Sequence, residues 1–276
     1  MEKKKNKYLS NKTFVIFGIL AIIICLVAIL APQICGDVDP TKGSLADSIM
    51  EPCAEHPFGT DKLGRDIFAR VIYGARSSLS STLILVAVIL VVGTFLGILA
   101  GYFGGWVDAV IMRISDMMIA FPGLVLAIAV AGILGPSMRN AVIAISLVSW
   151  PKYARLARSL VMKIRHTDFV AAAQVTGSRT GYMLWKYMLP NTITTLVITA
   201  ATDIGSMMME LAALSFLGFG AQPPTPEWGK MLNDGRTLIQ TAPWTMIYPG
   251  LAIFITVVVF NMLGDALRDI LDPKSE

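Results

Sequence analysis

LSSTLILVAVILVVGTFLGILA, residues 79–100, runs 22 positions without a charged side chain. At ~1.5 Å per residue a helix of this stretch reaches ~33 Å, enough for a hydrocarbon core of ~30 Å. Backbone amides have no water to bond in lipid, so a crossing segment is either a helix or a strand of a closed barrel. The run lacks the apolar–polar alternation of barrel strands. It is read as a transmembrane helix, and the fold class as all-α.

Five more apolar runs extend that reading outward, at about residues 14–31, 117–134, 141–160, 192–217 and 247–263. The whole chain of 276 residues is 55% hydrophobic and 15% charged, with mean hydropathy +0.65. A soluble domain carries roughly 25% charged residues, so a polytopic membrane protein with six spans in a single domain, 1–276, is expected. The first run follows Lys3, Lys4, Lys5, Lys7 and Lys12, as a signal peptide would. It is long for a signal core, and Ile29-Leu30-Ala31 before Pro32 is no cleavage site, so a retained span is expected.

Basic residues set the orientation, because they concentrate on the cytoplasmic side. Residues 152–186 hold seven cations (Lys152, Arg155, Arg158, Lys163, Arg165, Arg179, Lys186) against the single acid Asp168. With the lysine-rich start, this places both termini inside. The first outer loop, about 32–78, holds five cations and seven acids and weighs little because of its length. Within it, Cys35 and Cys53 are close enough in sequence for a disulfide, and Cys53 with His56 is a weak zinc pattern. Gly59 and Gly64 have phosphate-loop spacing, but Arg65-Asp66 stand where Lys-Ser/Thr is needed, so no nucleotide site is expected. From Asp66 onward, Ile67, Phe68, Val71 and Ile72 recur at helical spacing opposite Arg65 and Arg70, the pattern of an interfacial amphipathic helix. Gly93, Gly97 and Gly101 form a small-xxx-small ladder, expected to pack helices within this subunit. Trp228 and Trp244 suit a membrane interface.

DFVAAAQVTGSRTGYMLWKYMLPN, residues 168–191, is a polar, basic, helix-forming insertion between two apolar runs. Ala171, Ala172 and Ala173 form helix readily and leave a small-residue face. Gly177 punctuates, and Pro190 can open the next helix. Such a helix can rest on the membrane or lie in a groove of another protein.

Its spacing resembles the coupling loop of binding-protein-dependent ABC importer permeases: Glu-Ala-Ala, three residues, Gly, nine residues, Ile-x-Leu-Pro. Ala172, Ala173, Gly177, Leu189 and Pro190 match, while Ala171 replaces the glutamate and Tyr187 the isoleucine. HPFGTDKLGRDIFARVIYGARSSL, SDMMIAFP, LSFLGFG, PPTPEWGKMLNDGR and NMLGDALRDILDP extend the resemblance to nearly the whole chain, as the second permease of the peptide/nickel family. That resemblance implies a type I importer permease fold in the bacterial inner membrane, with a coupling helix in a cytoplasmic loop at about 163–190. It implies a second, homologous permease, two cytoplasmic ATPases that bind the ATP and Mg, and an extracellular solute-binding protein. No cofactor, metal or nucleic acid is expected on this chain, and no catalysis. Coupling is assigned to Ala171, Ala172, Ala173, Gly177, Leu189 and Pro190, so Gly177→Arg or Ala173→Asp is expected to uncouple uptake while leaving insertion intact.

Asp203 and Glu210 lie seven apart in the fifth run, on one helical face, with Met207 to Met209 between them. An acid within a span by default suggests a functional site. Asp203, Met207 and Glu210 are therefore the candidate substrate path, against the reading that the acids bond neighbouring helices and the methionines fill space. The segment TDIGSMMMELAALSFLGFG followed by TPEWGKMLNDGR is similar to nickel-importer permeases, which sets nickel, as a chelate, slightly ahead of peptides. A self-sufficient secondary transporter or channel is the alternative. It would need inverted repeats, and none is visible.

Overall fold

The computed structural model of the chain describes residues 11–271. Lys3, Lys4, Lys5 and Lys7 of the basic start, and Pro273 of the last motif, lie outside the described residues. Among the described residues the fold is helical, and one isolated bridge pairs Thr60 with Asp66. The elements are α1 (Lys12–Ile29), α2 (Ala31–Cys35), α3 (Ile67–Phe103), α4 (Gly105–Ile119), α5 (Gly123–Leu134), α6 (Met138–Arg165), α7 (Asp168–Val175), α8 (Thr180–Met183), α9 (Leu189–Phe216), α10 (Trp228–Gly235) and α11 (Trp244–Leu271). A π turn, Leu184–Met188, joins α8 to α9.

Side-chain caps fix several starts. Asn11 accepts from the Phe14 amide at 3.1 Å, Asp66 from Ala69 at 2.6 Å and Ser137 from Asn140 at 3.0 Å. Each satisfies one of the amides a helix N-terminus leaves unpaired.

The central unit is α3 laid along α6, the most extensive helix pair of the fold. The glycine ladder makes it possible. A Cβ on Gly93 would stand 2.5 Å from the Tyr153 Cβ, one on Gly97 would strike the Ala154 carbonyl, and one on Gly101 would stand 2.9 Å from the Arg158 carbonyl. The ladder therefore packs this subunit against itself, as its spacing predicts. A second close crossing joins α9 to α11, where Gly264 would bring a Cβ within 2.6 Å of the Thr202 Cα. Between helices in lipid, this close backbone approach replaces the hydrophobic drive available in water. α5 lies on α6, and α1 on α11 and α3. Ile16, Ile19, Ile22 and Leu26 of α1 remain exposed, as suits a helix bathed in lipid or covered by another subunit.

Among the described residues, four helices are long and apolar enough to cross a membrane: α1, α3, the run Thr180–Phe216, and α11. The expected continuous span at 117–134 is broken. α4 and α5 meet at 94° across Ala120, Phe121 and Pro122, and count as a fifth crossing only if taken together. Proline before Gly123 bars continuation of α4, because its ring excludes the helical carbonyl four residues back. α6 has 28 residues, yet its second half carries Lys152, Arg155, Arg158, Lys163 and Arg165, so composition alone does not mark it as a span.

The outer loop differs from expectation in three ways. Residue 66 opens a single 37-residue helix, so the amphipathic segment and the second span are one element. Arg65 and Arg70 are buried rather than turned to solvent. Arg65 grips Asp61 with Nε and Nη2 each at 2.7 Å, and Arg70 donates to the Pro40 carbonyl at 2.8 Å and lies 3.7 Å from Asp61. The cysteines do not pair: Cys35 is buried and Cys53 exposed, both as free thiols. His56 meets Asp66 at 2.8 Å, and the described residues hold no cluster fit for a metal ion.

Candidate functional site

The basic insertion folds as predicted locally. Val170 and Ala173 of α7 are buried in a small cluster with Ile98, Val161, Met183 and Met188. Ala171, Ala172 and Val175 face outward, and Val175 is 89% exposed. The helix ends on a Schellman motif: Ser178 N–H bonds the Ala173 carbonyl at 3.1 Å, and Gly177 N–H bonds that of Gln174 at 3.0 Å. That motif requires a left-handed residue, and Gly177 supplies it with φ 78°. The spacing Ala-Ala to Gly is thus the length of one short helix plus its terminator. Ala173 belongs to the anchoring face, so Ala173→Asp is no clean test of coupling: it would bury an unpaired charge.

Pro190 lies in the first turn of α9, as expected, and the π turn joins α9 back to α8 in one continuous run, Thr180–Phe216. A proline inside a helix clashes with the carbonyl four residues back. The π turn at Leu184–Met188 directly precedes it and widens the coil there. Leu189 is half-buried and Pro190 exposed, on a stretch that also exposes Tyr182 and Trp185. The result is a surface of small, apolar and aromatic groups flanked by Arg165, Arg179 and Lys186. Two ion pairs brace its base: Arg158 to Asp108 at 2.5 Å and Arg155 to Asp116 at 2.7 Å, both tying α4 to α6.

The candidate path residues separate into three environments. Asp203 is buried and bonded to α6: Lys152 Nζ lies 2.7 Å from both carboxylate oxygens, and the Tyr153 hydroxyl donates at 2.9 Å. Met207 is packed in the main core with Leu85, Ile89 and Leu211. Glu210 is half-buried and makes no hydrogen bond or ion pair among the described residues. Lys152 and Asp203 lie within electrostatic reach of it. Counting basic residues had placed Lys152 in an inner connection. Instead it occupies the fifteenth position of a 28-residue helix, level with Asp203 at the fifteenth position of another. Its side chain stays 58% exposed.

That exposure has a consequence. A charged side chain at the centre of a span costs ~2.5–3.5 kcal/mol by insertion scales if it meets lipid. The face bearing Lys152, Ser206, Met209 and Glu210 is therefore suited to a water-filled cavity or another subunit. A sequence signal for Lys152 existed in Pro151-Lys152 within an apolar run, but its partner lies 51 residues away.

At the opposite end of the bundle, Trp228 is buried rather than held at a membrane interface. Its indole donates to the Val71 carbonyl at 2.9 Å, over Gly74, where a Cβ would stand 2.8 Å from the ring. Glu227 is also buried; it accepts from Gly229 and Lys230 amides at 2.9 and 2.8 Å and from the Ser78 hydroxyl at 3.1 Å. Burial pushes its carboxyl above the usual range, and those three bonds act in the opposite direction.

Residues 93–276 match the family model described as binding-protein-dependent transport system inner membrane component. The chain is 46% identical over 274 residues to the dipeptide transport system permease protein DppC of Alkalihalophilus pseudofirmus, covering 97% of this chain and 88% of that one. It is 46% identical over 223 residues to the glutathione transport system permease protein GsiD of Pectobacterium atrosepticum, covering 81% and 74%. It is 40% identical over 258 residues to the probable D,D-dipeptide transport system permease protein DdpC of Escherichia coli, covering 94% and 86%. Among solved structures, an amino acid ABC transporter superposes with TM-score 0.55 at 17% identity, over 72% of this chain and 92% of that one, a likeness of fold.

Proposed function

The chain belongs to the family of binding-protein-dependent transport system inner membrane components, and we propose that it forms half of an import path for short peptides. As a permease of that family it is a non-catalytic membrane subunit, working with a further permease, ATPases and a binding protein. The finer assignments are a heterodimer with a second, homologous permease, two cytoplasmic ATPases that hold the ATP and Mg, and an extracellular solute-binding protein. Six crossings and cytoplasmic termini complete the arrangement, with α6 and the bent α4–α5 pair each taken as one crossing. Coupling falls to Ala171, Ala172 and Gly177 on the exposed side of α7, with Ala173, Leu189 and Pro190 holding it in place.

One observation carries the coupling role: α7 is anchored by Val170 and Ala173 yet leaves Ala171, Ala172 and Val175 uncovered beside a basic cluster. A short, rigid, small-faced helix fits a groove of a soluble protein. Movement of that protein on ATP binding then reaches α6 through the buried contacts, a two-state change driven by differential binding. The sequence impression favouring nickel gives way to peptides. Relatives aligning over most of the chain are named for dipeptides and glutathione. Asp203, the supposed cation ligand, is already occupied by Lys152.

Reconstitution of the full complex in vesicles tests the substrate. ATP-dependent accumulation of labelled trialanine, with radiolabelled nickel at background, is expected. Nickel accumulation without peptide uptake would overturn the reading. For orientation, Val175→Cys in intact cells is expected to resist membrane-impermeant thiol reagents and to react after lysis.

A further inference from the structure

Resting on the peptide reading, we propose that Lys152 and Glu210 are the two poles of a receptor for a zwitterionic short peptide within the translocation path. Lys152 takes the terminal carboxylate, Glu210 takes the terminal ammonium, and Asp203 acts as the positioning residue that holds Lys152.

The geometry supports each part. Lys152 spends its contacts on Asp203 but keeps most of its side chain exposed. An ammonium has three N–H donors, so two bonds to Asp203 leave one for a ligand. Asp203 is buried and also receives the Tyr153 hydroxyl, which fixes its carboxylate and therefore the lysine head. Glu210 is a half-buried carboxylate with no bonded partner among the described residues. On α9, Asp203, Ser206 and Glu210 follow at three and four residues, one helical face. Seven residues of helix advance ~10 Å, about the length of three extended residues at ~3.3–3.6 Å each. The surface between the poles carries Ser206 and Met209, both exposed. A hydroxyl and a flexible thioether tolerate varied side chains. Specificity would thus lie in the two charged ends rather than in the residues between them. Counted together, Lys152, Asp203 and Glu210 leave a single negative charge, so the site tolerates a zwitterion and disfavours an anion.

The test must separate a receptor from a structural ion pair. Lys152→Met alone would leave Asp203 buried and uncompensated, so the double variant Lys152→Met/Asp203→Asn is the decisive one. It removes both charges and keeps similar volumes. In vesicles containing the full complex, that variant is expected to assemble and to retain ATPase stimulation by the trialanine-loaded binding protein. Trialanine uptake is expected to fall at least tenfold, and to fall at least fivefold in Glu210→Gln. Uptake within twofold of the unaltered complex in the double variant would overturn the receptor and leave Lys152–Asp203 as packing. So would unchanged uptake in Glu210→Gln. If the double variant fails to assemble, the pair is structural and the receptor is likewise overturned. Absence of trialanine uptake by the unaltered complex is a different failure, because it removes the peptide reading itself.

Discussion

The two ends of this molecule are built on opposite plans. At the end that carries the 32–78 loop, Arg65, Arg70, Trp228 and Glu227 are buried, and bonds from Arg70 to the Pro40 carbonyl, from Trp228 to the Val71 carbonyl and from the Ser78 hydroxyl to Glu227 join distant parts of the chain. At the other end, α7 is bonded to itself and buries one narrow face, while Ala171, Ala172, Val175, Tyr182 and Trp185 remain open. A buried polar group without a partner is costly, and the first end meets that cost within one chain. The α7 end leaves apolar surface uncovered. On the proposed coupling role, the contrast is one between a closed cap and a docking element.

Substitutions can break that contrast. The largest stability effect is expected for Trp228→Ala, which empties a buried indole site and removes the indole's bond to the Val71 carbonyl. A loss of ~3–5 kcal/mol is expected, read as a large drop in melting temperature in detergent. Ala172→Arg should do the reverse. On an exposed helix position it is expected to shift stability by no more than ~0.5 kcal/mol, while ATP-driven uptake falls more than tenfold and the ATPases no longer co-purify. Normal uptake in that variant would remove α7 from the coupling role. Gly177→Ala is expected to lie between the two. A side chain in the left-handed region costs ~1–2 kcal/mol, and the cost stays local, so amide exchange should quicken across 168–178 without a global loss of stability.

The smallest effect sharpens the comparison. Burial pushes the Glu227 carboxyl above its ordinary value, about 4.3 for a free glutamate. Below that value the folded and unfolded forms are both protonated and no penalty arises. As pH rises through the raised folded value, the charged form is disfavoured in the fold and stability falls. Glu227→Gln is therefore expected to change neutral-pH stability by less than ~1 kcal/mol. Its melting temperature should depend less on pH above about 4.3, where a free glutamate begins to ionise, than that of the unaltered protein. An identical pH profile for both would show that Glu227 contributes no linkage.

Some of this was legible in the residues and some was not. The glycines at 93, 97 and 101 advertised a close helix crossing because small residues at a four-residue period have few other uses in lipid. Gly177 was legible for a similar reason: the end of α7 is a matter of local backbone geometry. The break at 120–122 escaped because hydropathy runs unbroken through Ala120-Phe121, although Pro122 was in view. Arg65 and Arg70 were read as a solvated face, since nothing near them reveals that Pro40, Pro224 and Asp234 close over them. The pairing of Cys35 with Cys53 was suggested by sequence proximity, which says nothing of direction.

Taken by itself, the order of residues determined that the chain is helical, lives in a membrane, and carries a short terminated helix at 168–177. Those properties follow from hydropathy over some twenty residues and from backbone preferences within one turn, both local in origin. Only the tertiary structure decided that Lys152 stands beside Asp203, that Glu210 makes no hydrogen bond or ion pair among the described residues, and that Arg65 and Arg70 are interior. Each depends on which distant segments meet, 51 positions apart for Lys152 and Asp203 and 30 for Arg70 and Pro40, and charge pairing at a few ångströms carries no trace in the spacing of either partner.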